Sequence, residues 1–226
     1  MPAIEQPVSI PIGSIALSGD LAIPDNARGI VIFAHGSGSG RHSPRNRFVA
    51  QVLQQSGLAT LLMDLLTPQE EIFDSATGEL RFNIQLLAAR LAAATEWLAG
   101  RSATRSLEPG YFGASTGAAA ALAAAARLPG RIGAIVSRGG RPDLAGSALR
   151  QVRAPTLLIV GGNDRAVIAL NEAARDQLLT ESRMEIIPGA GHLFEEPGAL
   201  EQVAFLARNW FDEHLGLNRA QEEAAV

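Results

Sequence analysis

The chain has 226 residues, 47% of them hydrophobic and 19% charged, with a net charge of −4. That is ample apolar material for one large α/β domain and too little charge for a disordered chain, and the mild acidity argues against nucleic-acid or membrane-surface binding. There is no cysteine and all 19 basic residues are arginine, which excludes thiolate nucleophiles, disulfides, a Schiff-base lysine and the lysine of a P-loop.

The N-terminal MPAIEQPVSIPIG has neither a basic region nor a continuous apolar region. The alanine-rich run from Ala118 to Ala126 is too short to span a bilayer. The expectation is a cytoplasmic protein with no signal peptide. No linker or internal repeat breaks the chain, so residues 1–226 read as one domain, with a polar, frayed tail from about Gly216 onward.

In chain order, PVSIPIG and SIALSGDLAIP alternate apolar and polar residues and predict an antiparallel hairpin with one solvated face and turns at Gly13 and Gly19. GIVIFAH, LATLLMDLL, GYFGAS, IGAIVS, PTLLIVGG and RMEIIPG follow as short apolar runs, mostly without alternation. Runs of that kind suit strands buried on both faces of a parallel sheet. Between them RNRFVAQVLQQSG, FNIQLLAARLAAATEWLAG, TGAAAALAAAARLPG, VIALNEAARDQLL and GALEQVAFLARNWFDEHL predict helices, the first ending at Gly57 and the second at Gly100. Repeated βα units predict a mostly parallel, doubly wound sheet that binds ligands at the carboxyl ends of its strands.

The loop HGSGSGRHSPRN after the first parallel run is glycine-rich, and such loops hold anions with backbone N–H groups. It fails as a dinucleotide fingerprint, because Gly36, Gly38 and Gly40 are followed by Arg41 where the last glycine should fall. Asp64, at the end of the next strand, comes too soon for a ribose contact.

Gly113-Ala114-Ser115-Thr116-Gly117 is a complete G-x-S-x-G between an apolar strand and an alanine helix. There Ser115 is a candidate nucleophile lifted above the sheet edge by a sharp strand-to-helix turn. A serine hydroxyl needs a base, and the base an orienting carboxylate. His35 and His42 lie in or beside the glycine loop, and His214 sits near the end of the last helix, where a surface position is expected. His192, in PGAGHLFEEPG after the last strand, and Asp164, in LIVGGNDRAV after the preceding one, share the carboxyl edge with Ser115. Asp143, one strand earlier, is the alternative acid. The order Ser115, Asp164, His192 is the one expected of α/β-hydrolases.

On HGSGSGRHSPRN, GYFGASTGAAAAL, APTLLIVGGNDRAV and PGAGHLFEEPG the chain resembles the α/β-hydrolase superfamily over nearly its whole length, and within it the small dienelactone-hydrolase-like branch. The resemblance implies a catalytic triad of Ser115, Asp164 and His192, a structural His35, and no metal or organic cofactor. True dienelactone hydrolases carry cysteine where this chain has Ser115, so their substrate is not transferred. The oxyanion donors are then expected at the N–H of Thr116 and of Ser37, with Gly38 as the alternative to Ser37.

Between the strand IGAIVS and the next helix, VSRGGRPDLAGSALRQV leaves no room for a lid, so the site is expected to be open and to take esters of small or flexible acyl groups. Arg41, Arg138 and Arg141 fall near the same edge and either bind an anionic part of the substrate or brace loops. The expected partner is a small-molecule ester, with a homodimer left open. The same three side chains would also serve thioester or amide cleavage or acyl transfer, and the fold also occurs in ligand-binding receptors.

Overall fold

The computed structural model describes residues 4–216; residues 217–226, most of the expected tail, lie outside it. Eight strands form one sheet: β1 (Glu5–Ile12), β2 (Ile15–Ala22), β3 (Gly29–Ala34), β4 (Ala59–Met63), β5 (Glu108–Ala114), β6 (Ala134–Arg138), β7 (Thr156–Gly161) and β8 (Ser182–Ile187). Their order is β1-β2-β4-β3-β5-β6-β7-β8. The β1–β2 and β2–β4 pairs are antiparallel and every later pair is parallel. This is the α/β-hydrolase architecture expected from the sequence, hairpin included.

Six helices cover the sheet: α1 (Pro44–Gln55), α2 (Pro68–Thr77), α3 (Ile84–Ala99), α4 (Thr116–Arg127), α5 (Arg165–Arg175) and α6 (Ala199–His214). The inner strands read as unbroken apolar runs because both faces are covered. Along β3, Ile30 and Ile32 pack toward the helices α3 and α4, while Val31 and Phe33 pack toward α1 and α6. Helix α4 lies very close to the sheet, since every residue from Ala118 to Ala125 except Leu122 is a buried alanine.

Two details differ from the sequence reading. Gly13 turns the hairpin at φ +59°, but Gly19 lies inside β2, paired with Val8 on one side and Met63 on the other. Gly19 is needed for close approach instead: a Cβ there would sit 3.0 Å from Leu61 Cδ1 and 3.2 Å from the Leu62 carbonyl oxygen. Helix α2 was not anticipated, because its apolar residues Ile72 and Phe73 face solvent and Asp74 is its one buried residue. Between β6 and β7 the chain forms only a 3₁₀ segment, Pro142–Gln151, kinked at Gly146. Among the described residues no helix is long and apolar enough to cross a membrane.

Candidate active site

Ser115 sits at the turn from β5 to α4 with φ 51° and ψ −122°. Side chains rarely adopt that conformation, and holding one in it costs about 1–3 kcal/mol. The turn is enforced by contacts that leave no space for side chains on either flank. A Cβ on Gly113 would lie 2.5 Å from Ala118 Cα, and one on Gly117 would lie 2.1 Å from the Ala34 carbonyl oxygen. Although Ser115 occupies the N-cap position of α4, its side chain does not cap the helix. The hydroxyl is therefore available, and Ser115 is neither exposed nor fully buried.

His192 lies in the loop between β8 and α6, and Asp164 directly follows β7 at the start of α5. His192 Nδ1 and Asp164 Oδ2 are 2.6 Å apart. A bond of that kind fixes the imidazole as the Nδ1–H tautomer and leaves Nε2 as a free base. Asp143, the alternative acid, is held by both Nε and Nη2 of Arg141, at 2.9 and 2.8 Å.

The segment that follows β6 lies between the histidine and the serine. Ser115 N–H donates to the Arg138 carbonyl at 3.2 Å, and Arg141 N–H donates to the Ser115 carbonyl at 3.1 Å. Gly139, at φ +50°, leaves room for His192: a Cβ there would lie 3.0 Å from its carbonyl oxygen and 3.6 Å from its Cε1. Ser115 Oγ itself makes no hydrogen bond among the described residues. Bonds to a catalytic base commonly tighten only when substrate is present.

The glycine loop closes over the other side of Ser115. A Cβ on Gly36 would touch Ser115 Cβ at 3.0 Å. Thr116, first residue of α4, has an N–H with no partner inside the helix. The Ser37 N–H is aimed at the same corner, where it donates to Thr116 Oγ1 at 3.0 Å, and the two hydroxyls are also 3.0 Å apart. The Ser37 N–H is thus taken up by the hydroxyl of Thr116, the residue that carries the other expected donor.

His35 is structural. Its Nδ1 donates to the Gly36 carbonyl at 3.0 Å and its Nε2 accepts the Leu65 N–H at 3.0 Å. Burial is the main cause that pushes it below its ordinary value, outweighing the Gly36 bond and the charges of Asp64 and Glu71. His42 is exposed, 3.8 Å from Asp20. His214 differs from its expected surface position: its side chain is 11% exposed and packs at a tilt against Trp210, with ring centroids 4.3 Å apart. It also lies at the opposite edge, where neighbouring Gly216 bonds Glu108 at the start of β5.

The arginines divide. The guanidinium of Arg41 pairs with Asp64, which also accepts the Arg41 N–H at 2.8 Å, so Arg41 braces the glycine loop. Arg141 braces Asp143. Arg138 is buried, and its side chain has no carboxylate partner among the described residues. Beside Thr116 a cleft of about 590 Å³ opens between the glycine loop and α2, and Ser115 lies at its edge instead of in its lining.

A doubly wound sheet with a strained serine at the β5–α4 turn and a histidine–carboxylate pair on the same rim defines an α/β-hydrolase fold. The chain belongs to the dienelactone hydrolase family, whose model matches residues 17–214. A dienelactone hydrolase from Anabaena variabilis is 61% identical, with a TM-score of 0.93 over 95% of this chain and 100% of that one. Est1E from Butyrivibrio proteoclasticus shares the fold at 16% identity, with a TM-score of 0.76 over 92% of this chain and 98% of its own. A Mycobacterium tuberculosis protein provisionally named a phosphoribosyl transferase is 55% identical over 214 residues, covering 95% of this chain but 47% of its own length. The chain spans about half the length of the curated relatives it matches.

Proposed function

We propose that the chain is a serine hydrolase that cleaves carboxylic esters of small or short-chain acyl groups through an acyl-enzyme. The observation that carries this reading is the left-handed Ser115 at the β5–α4 turn on the same rim as a His192 already bonded to Asp164. Membership of a hydrolase family supports the reaction class.

In this mechanism His192 Nε2 takes the Ser115 proton as Oγ bonds to the acyl carbon. The carbonyl oxygen becomes an oxyanion, received by the N–H groups of Thr116 and Ser37. The Thr116 hydroxyl must turn away from Ser37 as that oxygen arrives. His192 then gives its proton to the departing alcohol, and the bond from acyl carbon to alcohol oxygen breaks. Water repeats the sequence, its proton passing through His192 to Ser115 as the acid is released. Asp164 keeps the imidazole oriented and stabilises its charged form throughout. The short 3₁₀ segment after β6 leaves the rim uncovered, which favours small or flexible acyl groups.

The provisional name of the mycobacterial relative describes a protein of twice this length, and Ser115, Asp164 and His192 have no evident part in phosphoribosyl transfer. The test is a series of p-nitrophenyl esters of increasing acyl length, with stoichiometric labelling by an organophosphonate. Turnover that is highest on short chains, and label on Ser115, are expected. Folded protein that neither turns over these esters nor takes the label overturns the reading.

A further inference from the structure

The sheet has two edges, and they are built differently. One edge is β1, where the register from the turn at Gly13 leaves the backbone of Pro7 and Pro11 facing away from β2. A proline at such a position removes an outward N–H and stops another strand from adding, which is how natural sheets guard an edge. The other edge is β8, Ser182–Ile187, which contains no proline. Among the described residues β8 pairs with β7 alone.

The bonds to β7 fix which groups β8 turns outward. Thr156 N–H donates to the Glu181 carbonyl at 2.9 Å, and Gly162 N–H donates to the Ile187 carbonyl at 2.8 Å. In a parallel ladder the N–H and C=O of one residue point to the same side, and those of the next residue to the other. Arg183 and Glu185 therefore bond inward like Ile187, and Ser182, Met184 and Ile186 direct their N–H and C=O outward. Side chains alternate between the two faces in the same rhythm. Arg183 and Glu185 share the face of α6 with Ile187, and the Arg183 guanidinium lies 5.2 Å over the Trp210 ring of that helix. Met184 and Ile186 share the opposite face, where Ile186 is 46% exposed. Neither Arg183 nor Glu185 has an ion-pair partner among the described residues.

We propose that β8 joins two copies of this chain, edge to edge, as antiparallel strands about a two-fold axis at Met184. The charges choose that register. Outward groups bond only to outward groups, so the residue on the axis can shift, but the odd-numbered residues always face one another. With the axis at Arg183 the two Arg183 side chains meet, and with the axis at Glu185 the two Glu185 side chains meet; both arrangements repel. With the axis at Met184, Arg183 of each copy faces Glu185 of the other. These are non-hydrogen-bonded pairs, where opposite side chains come closest. Met184 then exchanges backbone bonds with Met184 of the second copy, and Ser182 with its Ile186, so every outward N–H and C=O from Ser182 to Ile186 has a partner. Such a contact is the same patch on both copies and closes at two, instead of growing into a fibre. The proposal does not depend on the hydrolase reading.

Sedimentation velocity of the full chain, from about 1 to about 100 µM, is expected to show a dimer. Arg183→Glu and Glu185→Arg each bring like charges together at both contacts and are each expected to weaken the dimer about tenfold or more. Mixed in equal amounts, the two variants are expected to form a heterodimer, because each then meets the opposite charge twice. The double exchange Arg183→Glu with Glu185→Arg is expected to restore the homodimer. Restoration distinguishes a lost charge contact from a lost fold.

The register has its own test. The chain has no cysteine, so Met184→Cys introduces a single thiol. Bonded antiparallel neighbours have Cα atoms about 5.5 Å apart, within reach of a disulfide, so mild oxidation is expected to link two copies. Ile186→Cys is expected to stay unlinked, since its counterpart lies four residues further along the pair, about 14 Å away. A chain that is monomeric at about 100 µM, a dimer that neither charge variant weakens, a mixture that fails to pair, or a link through Ile186→Cys as efficient as that through Met184→Cys overturns the proposal.

Discussion

Ser115 carries two opposed demands, and they can be separated by substitution. The turn that lifts its hydroxyl holds the residue at φ 51°, a conformation that glycine adopts without penalty. Ser115→Gly is therefore expected to raise stability by about 1 kcal/mol in urea denaturation while lowering kcat on p-nitrophenyl esters by on the order of 10⁵-fold. A variant that loses activity without gaining stability would show that the strain is dissipated elsewhere. The carboxylates separate in the same way. His192 bonds Asp164, whereas Asp143 is held by two nitrogens of Arg141. Asp164→Asn is expected to lower kcat about 10⁴-fold by presenting the wrong tautomer, and Asp143→Asn to cost far less.

At the scale of elements, what the sequence reveals depends on how each element earns its stability. The inner strands and α4 were legible because a segment buried on both faces must be apolar throughout, as in GIVIFA and TGAAAALAAAAR. The positions of Ser115, Asp164 and His192 at the carboxyl edge were legible because each lies in a loop that follows a readable strand. Helix α2 was not, because it stays at the surface with Ile72 and Phe73 exposed, so no apolar stripe marks it. Its available signal was local: Thr67 accepts the Glu70 N–H at 3.3 Å and Glu70 accepts the Thr67 N–H at 2.8 Å, a reciprocal cap followed by Pro68. Thr67→Ala is expected to cost about 1 kcal/mol in denaturant unfolding. The lack of a carboxylate beside Arg138 among the described residues was equally out of reach, since it depends on which carboxylates other loops bring near. Gly117 lies where α4 closely approaches the end of β3. With the Ala34 and His35 carbonyl oxygens 2.1 and 2.5 Å from a would-be Cβ, Gly117→Ala must push α4 off the end of β3. A loss of about 3 kcal/mol or more is expected, read as a fall in Tm and in soluble yield.

Across the whole molecule the site is a product of global folding, because residues 35–41, 115–116, 138–141, 164 and 192 meet only when the sheet is complete. His35 ties that assembly to pH. Its two ring nitrogens bridge the glycine loop to the Leu65 N–H, and the bridge requires the neutral imidazole. Burial holds the folded value below 6.5, whereas the unfolded chain binds its proton near 6.5. The unfolded state therefore takes up protons first as pH falls. The stability His35 contributes is complete above pH 6.5 and is lost as pH drops through its folded value. A second loss lies lower. The Arg90 guanidinium, 2.5 Å away, is the main cause that lowers Glu70 from 4.5 to about 2, so its contribution disappears between those values. Tm measured from pH 8 to pH 2 should fall first below pH 6.5 through His35, and through Glu70 between 4.5 and about 2. His35→Gln should flatten the first fall and leave the second, and Glu70→Gln should do the reverse. A Tm profile of His35→Gln parallel to wild type from pH 8 to well below pH 6.5 would show that the buried imidazole does not couple the glycine loop to protonation.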